Sequence, residues 1–303
     1  MAVLFAYWRN DMNKKRWQDR IAPYLFLFPA FIFIIGFSYY EVIQSVIWSF
    51  TDTAFGTSGY FIGLANYARA LHDSMYIASF RNQIIVSVMT VFNSIFWPLL
   101  ASELLYFVKN RRLSNLYRTG FIIPMMVPSI VIILMWKYLY DSHMGFNTLL
   151  KAIGLQSLTR NWLNDKSTAL ACVILIGFPF IAGMYFLIFH TALNALEYDM
   201  IEAAIIDGAT PIQIVFKVQL PNLRPDIKTV FTLSLISSLS GFGNIFATTG
   251  GGPGYATMIP SMQIYNVAFG DGDFGYASAL GVFLMVVVVA ITLISRKFMK
   301  EGD

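Results

Sequence analysis

Apolar residues fall in six long blocks along this chain, at 21–40, 84–108, 117–140, 169–189, 228–247 and 276–295, with polar stretches between them. A helix crosses a hydrocarbon core of about 30 Å with roughly 20 apolar residues, so each block predicts one membrane span. The pattern predicts an all-α integral membrane protein with six transmembrane helices. Composition agrees, since 57% of the residues are hydrophobic and only 13% are charged, about half the charged share of a soluble domain.

Charge placement sets an expected orientation, because Lys and Arg concentrate on the cytoplasmic side of a membrane. Fifteen of the 21 basic residues fall on one side: Arg9, Lys14, Lys15, Arg16 and Arg20 in the N-terminal tail, Lys109, Arg111, Arg112 and Arg118 around the second loop, Lys217, Arg224 and Lys228 around the fourth, and Arg296, Lys297 and Lys300 at the C-terminal end. That side is expected to be cytoplasmic and to hold both termini, with membrane lipid around the spans. The same bias accounts for the net charge of +4 without a nucleic-acid partner. The first block is longer than a signal-peptide core and lacks a small-x-small cleavage site, so it is expected to remain as a span.

Candidate chemistry is sparse. Cys172 is the only cysteine, which excludes an intrachain disulfide, and His72, His143 and His190 lack metal-ligand spacing, so no metal site is expected. No Gly-x-x-x-x-Gly-Lys-Ser/Thr occurs, so the chain is not expected to hydrolyse nucleotide itself. The run Gly250-Gly251-Gly252-Pro253-Gly254 has no lysine and reads as a tight external turn. At membrane depth, Glu103 is expected to reach Lys109, Arg111 or Arg112, and Lys137 to snorkel, so both read as interfacial rather than ion-coupling.

The polar loop between the fourth and fifth blocks carries more information. Glu202-Ala203-Ala204-Ile205 is strong helix-forming sequence, and Gly208 suits a left-handed helix end. Thr210, Pro211 and Gln213 then form a start signal of capping residue, first-turn proline and capping-box partner, and Pro221 and Pro225 are expected to stop the second helix. Ile201 and Ile205 share a face, and the small Ala203 and Ala204 allow another surface to approach.

Glu202-Ala203-Ala204, three residues, Gly208, nine residues, then Val218-Gln219-Leu220-Pro221 resembles the loop that marks the membrane subunit of ATP-binding-cassette importers. Beyond the loop the chain is similar to the carbohydrate branch of that family, which includes the maltose-type permeases. The shared strings are Phe61-Ile62-Gly63-Leu64-Ala65-Asn66-Tyr67, Ile123-Pro124, Trp136-Lys137-Tyr138-Leu139-Tyr140, Gly251-Gly252-Pro253 with Thr257, and Phe274-Gly275-Tyr276-Ala277-Ser278-Ala279. The chain departs from the family at Gly241-Phe242-Gly243-Asn244 and at Phe178-Pro179, in regions expected to face the solute.

The resemblance implies a type I importer permease fold, with a cytoplasmic tail at 1–20, a first helix and external loop at 21–82, a transmembrane core at 83–296 and a short tail at 297–303. It implies that Glu202, Ala203, Ala204, Asp207, Gly208, Leu220 and Pro221 belong to a coupling loop seated on an ATP-hydrolysing subunit. The expected partners are a second related permease, two copies of that ATP-binding subunit, which would hold ATP and Mg, and an extracytoplasmic solute-binding protein. The expected place is a bacterial or archaeal inner membrane.

For the solute path, Ser234, Ser237 and Ser238 share one face of the fifth span, while Ser240 and Asn244 lie on another. Two readings stand: small residues that let helices pack closely, or a hydroxyl-lined path for a neutral polyhydroxylated solute. Asn93, Ser94 and Tyr185 are candidates of the same kind, so the tentative path is Asn93, Ser94, Tyr185, Ser234, Ser238 and Asn244. The expected function is the permease subunit of an ATP-driven sugar importer working by alternating access, not an enzyme. The alternative is an ion-coupled secondary transporter.

Overall fold

The computed structural model describes residues 21–57 and 59–300, so the expected tail at 1–20 lies outside the described residues. Among the described residues there are helices and turns but no strand, and one isolated antiparallel bridge joins Thr51 to Phe61. Three helical stretches are long and apolar enough to cross a membrane unaided: Ile21–Trp48, Ser74–Tyr106 and Phe274–Ser295. The last belongs to a helix that continues to Lys300.

The other three blocks depart from the expectation of continuous helices. The third becomes Arg111–Met126 and Ser129–Leu139, which meet at 93° and count as one span if the bent pair crosses together. The fourth divides into Ala169–Leu175 and Gly183–Asn194, and the fifth into Arg224–Ser240 and Gly243–Thr248. Local chemistry explains each break. Pro128 drives Val127 into an extended conformation with ψ of 128°. Gly177 and Phe180 take φ of 92° and 61°, outside the helical region. Gly241 ends its helix with ψ of 133°, and Gly243 opens the next after a single intervening residue.

The helix Ser74–Tyr106 is the spine of the core. Asp73 starts it, its Oδ1 accepting from the backbone N–H groups of Met75 and Tyr76 at 3.0 Å each. Towards the other end, Ile95, Leu99 and Tyr106 lie on a cluster of Phe189, Leu193, Leu223 and Val230, all fully buried. Phe186 packs between Ala101 and Leu105, and Ser102 Oγ bonds the Pro98 carbonyl at 2.8 Å and lies 3.2 Å from that of Phe186. Small residues let these two helices approach closely, as helices must where lipid offers no hydrophobic drive. By contrast, no residue in the most apolar part of Ile21–Trp48 is buried within this chain, and only the end of that stretch packs on the last helix, with the Trp48 ring 6.2 Å from that of Phe274.

Near residue 73 a polar cluster ties the first long loop to the last helix. Arg69 bonds Asp273 at 2.7 Å and lies 3.8 Å from the centre of the Tyr276 ring, while the Tyr276 hydroxyl donates to Asp73 Oδ2 at 2.8 Å. Tyr76, in turn, donates to the Leu280 carbonyl at 2.9 Å. Asp73 thus serves as a helix cap and as the acceptor for a tyrosine of another helix. Asp73→Ala should destabilise the protein by about 1–3 kcal/mol, the sum of a lost cap and an unpaired hydroxyl. The expected result is a lower melting midpoint for the purified protein in detergent, and a midpoint equal to that of the unaltered protein would contradict it.

Candidate functional site

The three helix breaks converge. A cavity of about 660 Å³ is lined by Pro124, Val127 and Ser129 at the first break, Gly177 and Phe180 at the second, and Gly241, Phe242 and Asn244 at the third. The spine contributes Thr90, Asn93 and Ser94. Pro98 has no N–H to give the Ser94 carbonyl, its usual helical acceptor, so the spine too has a backbone oxygen freed at this level. Irregular backbone at membrane depth is tolerated where it is buried or lines a water-filled cavity, and the freed N–H and C=O groups are then available to a solute.

The lining is uncharged, since no Asp, Glu, Lys, Arg or His is among its residues; its amide and hydroxyl groups are set among Val, Ile and Met side chains. Its aromatic members are Phe180 and Phe242. Phe180 stands edge-on to Phe178 at 5.6 Å, and Phe178 to Trp97 at 5.9 Å, which fixes the wall on that side. Phe180 holds a left-handed backbone that costs a residue of its size about 1–3 kcal/mol.

Of the residues expected along a solute path, Asn93, Ser94, Ser238 and Asn244 line the cavity, and Ser234 and Tyr185 do not. Ser234 is fully buried, its hydroxyl donating to the Phe231 carbonyl at 3.1 Å, and Tyr185 packs beside the Phe189 and Leu193 cluster. Ser237 and Phe242 also line the cavity, as do Thr90, Ser129 and Phe180, which sequence reasoning did not single out. The available signal was the punctuation: Pro124 and Pro128, Gly177 before Phe178-Pro179, and the Gly241-Phe242-Gly243 triplet. Lys137 Nζ reaches the Ala247 carbonyl at 3.3 Å. Glu103 corrects an expectation: it is buried, and neither carboxyl oxygen has a hydrogen-bond partner among the described residues. The spine ends at Tyr106, before the basic residues begin, and Glu103 lies one turn beyond Leu99 on the inward face.

The loop after Gly183–Asn194 is built from its capping chemistry. The helix Tyr198–Ile206 closes with Gly208 at φ of 79°, where Gly208 N–H donates to Ile205 at 3.0 Å and Ala209 N–H to Ala204 at 2.9 Å. This is a Schellman end, which satisfies carbonyls that the helix leaves open. Thr210 then caps the next helix, with Thr210 N–H donating to Gln213 Oε1 at 2.8 Å and Gln213 N–H to Thr210 Oγ1 at 3.3 Å.

Pro221 and Pro225 do not stop that helix as expected. A π turn at Val215–Gln219 absorbs the missing proline donor, and the path continues through Leu223 N–H to Gln219 O and Ile227 N–H to Leu223 O, both 2.9 Å. Ile201 is buried, whereas Glu202, Ala203, Ile205, Ile206, Ile212 and Phe216 are exposed. Leu220 and Pro221 are half-buried, and Asp207 and Gly208 lie exposed at the turn.

A helical membrane protein with broken spans around an uncharged polar cavity and an apolar-tipped surface loop has the form of a solute-conducting subunit. The sequence matches the family described as binding-protein-dependent transport system inner membrane component over residues 94–300. It is 31% identical to the sn-glycerol-3-phosphate transport system permease protein UgpA of Agrobacterium fabrum, across 96% of this chain and 98% of that one. It is 26% identical to the multiple sugar-binding transport system permease protein MsmF of Streptococcus mutans, across 96% of this chain and all of the other. A chain from a bacterial transporter that imports the acidic polysaccharide alginate superposes with a TM-score of 0.85 at 20% identity, covering 96% of this chain and 99% of that chain. The chain belongs to the family of binding-protein-dependent transport system inner membrane components. It is therefore a multi-pass inner-membrane transport subunit rather than an enzyme.

The turn itself can be tested. A Cβ at Gly208 would meet no atom within 4 Å, so Gly208→Ala probes the backbone angle alone. The left-handed conformation costs a residue with a side chain about 1–2 kcal/mol. Amide exchange at residues 208 and 209, followed by mass spectrometry, should quicken roughly tenfold, and unchanged exchange would contradict the role given to the angle.

Proposed function

We propose that this chain is the permease subunit of an ATP-driven importer of a neutral, hydroxyl-rich solute of the sugar class. The observation that carries the reading is the cavity where three helix breaks meet, lined by amide, hydroxyl and aromatic groups among aliphatic side chains, without one fixed charge. Such a lining suits a solute that offers hydroxyls for hydrogen bonds and C–H faces for aromatic rings. A phosphate ester would ask for Arg or Lys, so the sugar named in one relative fits this cavity better than the glycerol phosphate named in another. Family membership and the uncharged lining leave the ion-coupled alternative without support.

In this reading the six apolar blocks are six crossings, three of them interrupted, and residues 83–296 form the transmembrane core. Both termini and the loop around Glu202 face the cytoplasm, as the distribution of basic residues favours. The loop is the coupling segment. Its exposed Ile205, Ile206, Ile212 and Phe216 form an apolar tip beside Glu202 and Ala203, a surface suited to burial in an ATP-hydrolysing partner. ATP and Mg belong to that partner, present in two copies, while a second permease completes the path and a solute-binding protein delivers to it. The unburied first helix supports an outer position, against lipid or the neighbouring subunit. Nucleotide binding closes the ATPase pair, the loop carries that motion to the spans, and the cavity changes the side to which it opens.

Three measurements test this. Asn244→Leu should lower uptake per intact complex by roughly two- to tenfold, the worth of one hydrogen bond, and full transport at full assembly would remove Asn244 from the path. Glu202→Lys should leave the chain in the membrane yet uncouple uptake from ATP hydrolysis; normal uptake would sink the coupling role. In a Cys172→Ala background, a cysteine at Thr210 should react with an impermeant thiol reagent only after permeabilisation, whereas one at Leu64, which is exposed, should react from outside. External labelling at Thr210 would reverse the topology.

A further inference from the structure

Two of the polar side chains buried without hydrogen bonds lie at the loop end of the spine. Glu103 has both carboxyl oxygens unpartnered, and Gln219, fully buried, has both its amide atoms unpartnered. Leaving a buried polar group unpaired costs about 1–3 kcal/mol. Neither residue touches the cavity, and their positions are related.

The spine and the helix Arg224–Ser240 are antiparallel and pinned near their far ends, where Gln83 Nε2 donates to the Ser238 carbonyl at 2.9 Å. From that bond Glu103 lies 20 residues down the spine and Gln219 lies 19 residues back along the facing path. At about 1.5 Å per residue both lie near the same depth, roughly 30 Å from the pin. They also share the facing stripes. Ile95 and Leu99 lead at intervals of four to Glu103, and Val230, Ile227 and Leu223 lead back through the 2.9 Å bonds to Gln219. The helices are therefore fastened at one end by a made hydrogen bond and carry, at the other, two polar groups that make none.

We propose that Glu103 and Gln219 are positioning residues that hydrogen-bond to each other in another state of the transport cycle, latching the coupling loop to the spine. A carboxamide donates and accepts, so it can serve the carboxyl group in either protonation state. Gln219 stands directly before Leu220 and Pro221, at the end of the π turn, and π turns are frequent at functional sites. Movement of the loop would make or break this pair while the Gln83 pin holds the far end. The inference rests on the loop being the coupling segment.

The test is a double-mutant cycle on uptake per intact complex in the assembled transporter. Glu103→Leu and Gln219→Leu should each lower uptake roughly two- to tenfold, and the double variant should fall no further than the worse single. Glu103→Gln, which keeps a donor and an acceptor, should restore most of the rate, as should the exchange Glu103→Gln with Gln219→Glu. Unchanged uptake in both Leu variants, or effects that multiply, would overturn the latch. If the Leu variants do not assemble, Glu103→Gln decides: a loss of uptake in intact complex refutes the pair, and retained uptake supports it. Glu202→Lys separates the two ideas, because normal uptake there refutes the coupling loop, whereas the cycle on Glu103 and Gln219 reads the pair directly.

Discussion

Backbone N–H and C=O groups have no water to turn to inside a bilayer, and the architecture follows from where this chain satisfies them and where it does not. Ile21–Trp48 and Phe274–Ser295 meet the demand within single helices. The three interrupted blocks cannot, because Pro128, Gly177 and Gly241 each remove the helical path near mid-segment. Those interruptions survive by turning to one another. Their freed groups face a common cavity rather than lipid, and Pro98 frees the Ser94 carbonyl on the spine at the same place. The cavity is thus built where backbone is interrupted, and none of its lining residues is charged.

Tight packing beside this opening joins the rest of the chain into connected bodies. The buried contacts of Phe186, Phe189, Leu193, Leu223 and Val230 join the spine to the helices on either side of the loop. The loop is short and fixed at its turns by the Gly208 end and the Thr210 capping box, so in the proposed coupling role a push on its tip would reach the spine with little lost in bending. Its exit passes through Gln219 into the stripe of Leu223, Ile227 and Val230 that packs on the spine. At the opposite end, Arg69, Asp73, Asp273 and Tyr276 tie the first long loop to the last helix, a polar clamp away from the Glu202 loop.

Much of this was legible in the chain itself. Six apolar blocks pointed to a membrane protein, because bilayer thickness and helix rise leave few other solutions for blocks of that length, and the Glu202 to Pro221 pattern pointed to the class by resemblance to a known family. The Gly208 turn and the Thr210 cap were also readable, since both depend on residues within a few positions of each other. Asn93, Ser94, Ser238 and Asn244 were found as polar residues in apolar surroundings. Tertiary packing separated them from Ser234, which bonds back to its own helix, and from Tyr185, which packs in the core.

Block length alone misjudged continuity. Hydropathy counts apolar residues but does not register φ and ψ, so the third, fourth and fifth blocks read as unbroken while Pro128, Gly177 and Gly241 divide them. The burial of Glu103 was hidden for a related reason: its charge neighbours in sequence are Lys109 and Arg111, but helix rotation turns it inward with Leu99, away from them. Local sequence determined composition, the apolar blocks, caps and turns, because those depend on solvent transfer and on contacts a few residues apart. Only tertiary structure decided that three separate breaks share one cavity and that Glu103 and Gln219 are buried without hydrogen-bond partners, because both depend on the register between helices distant in the chain.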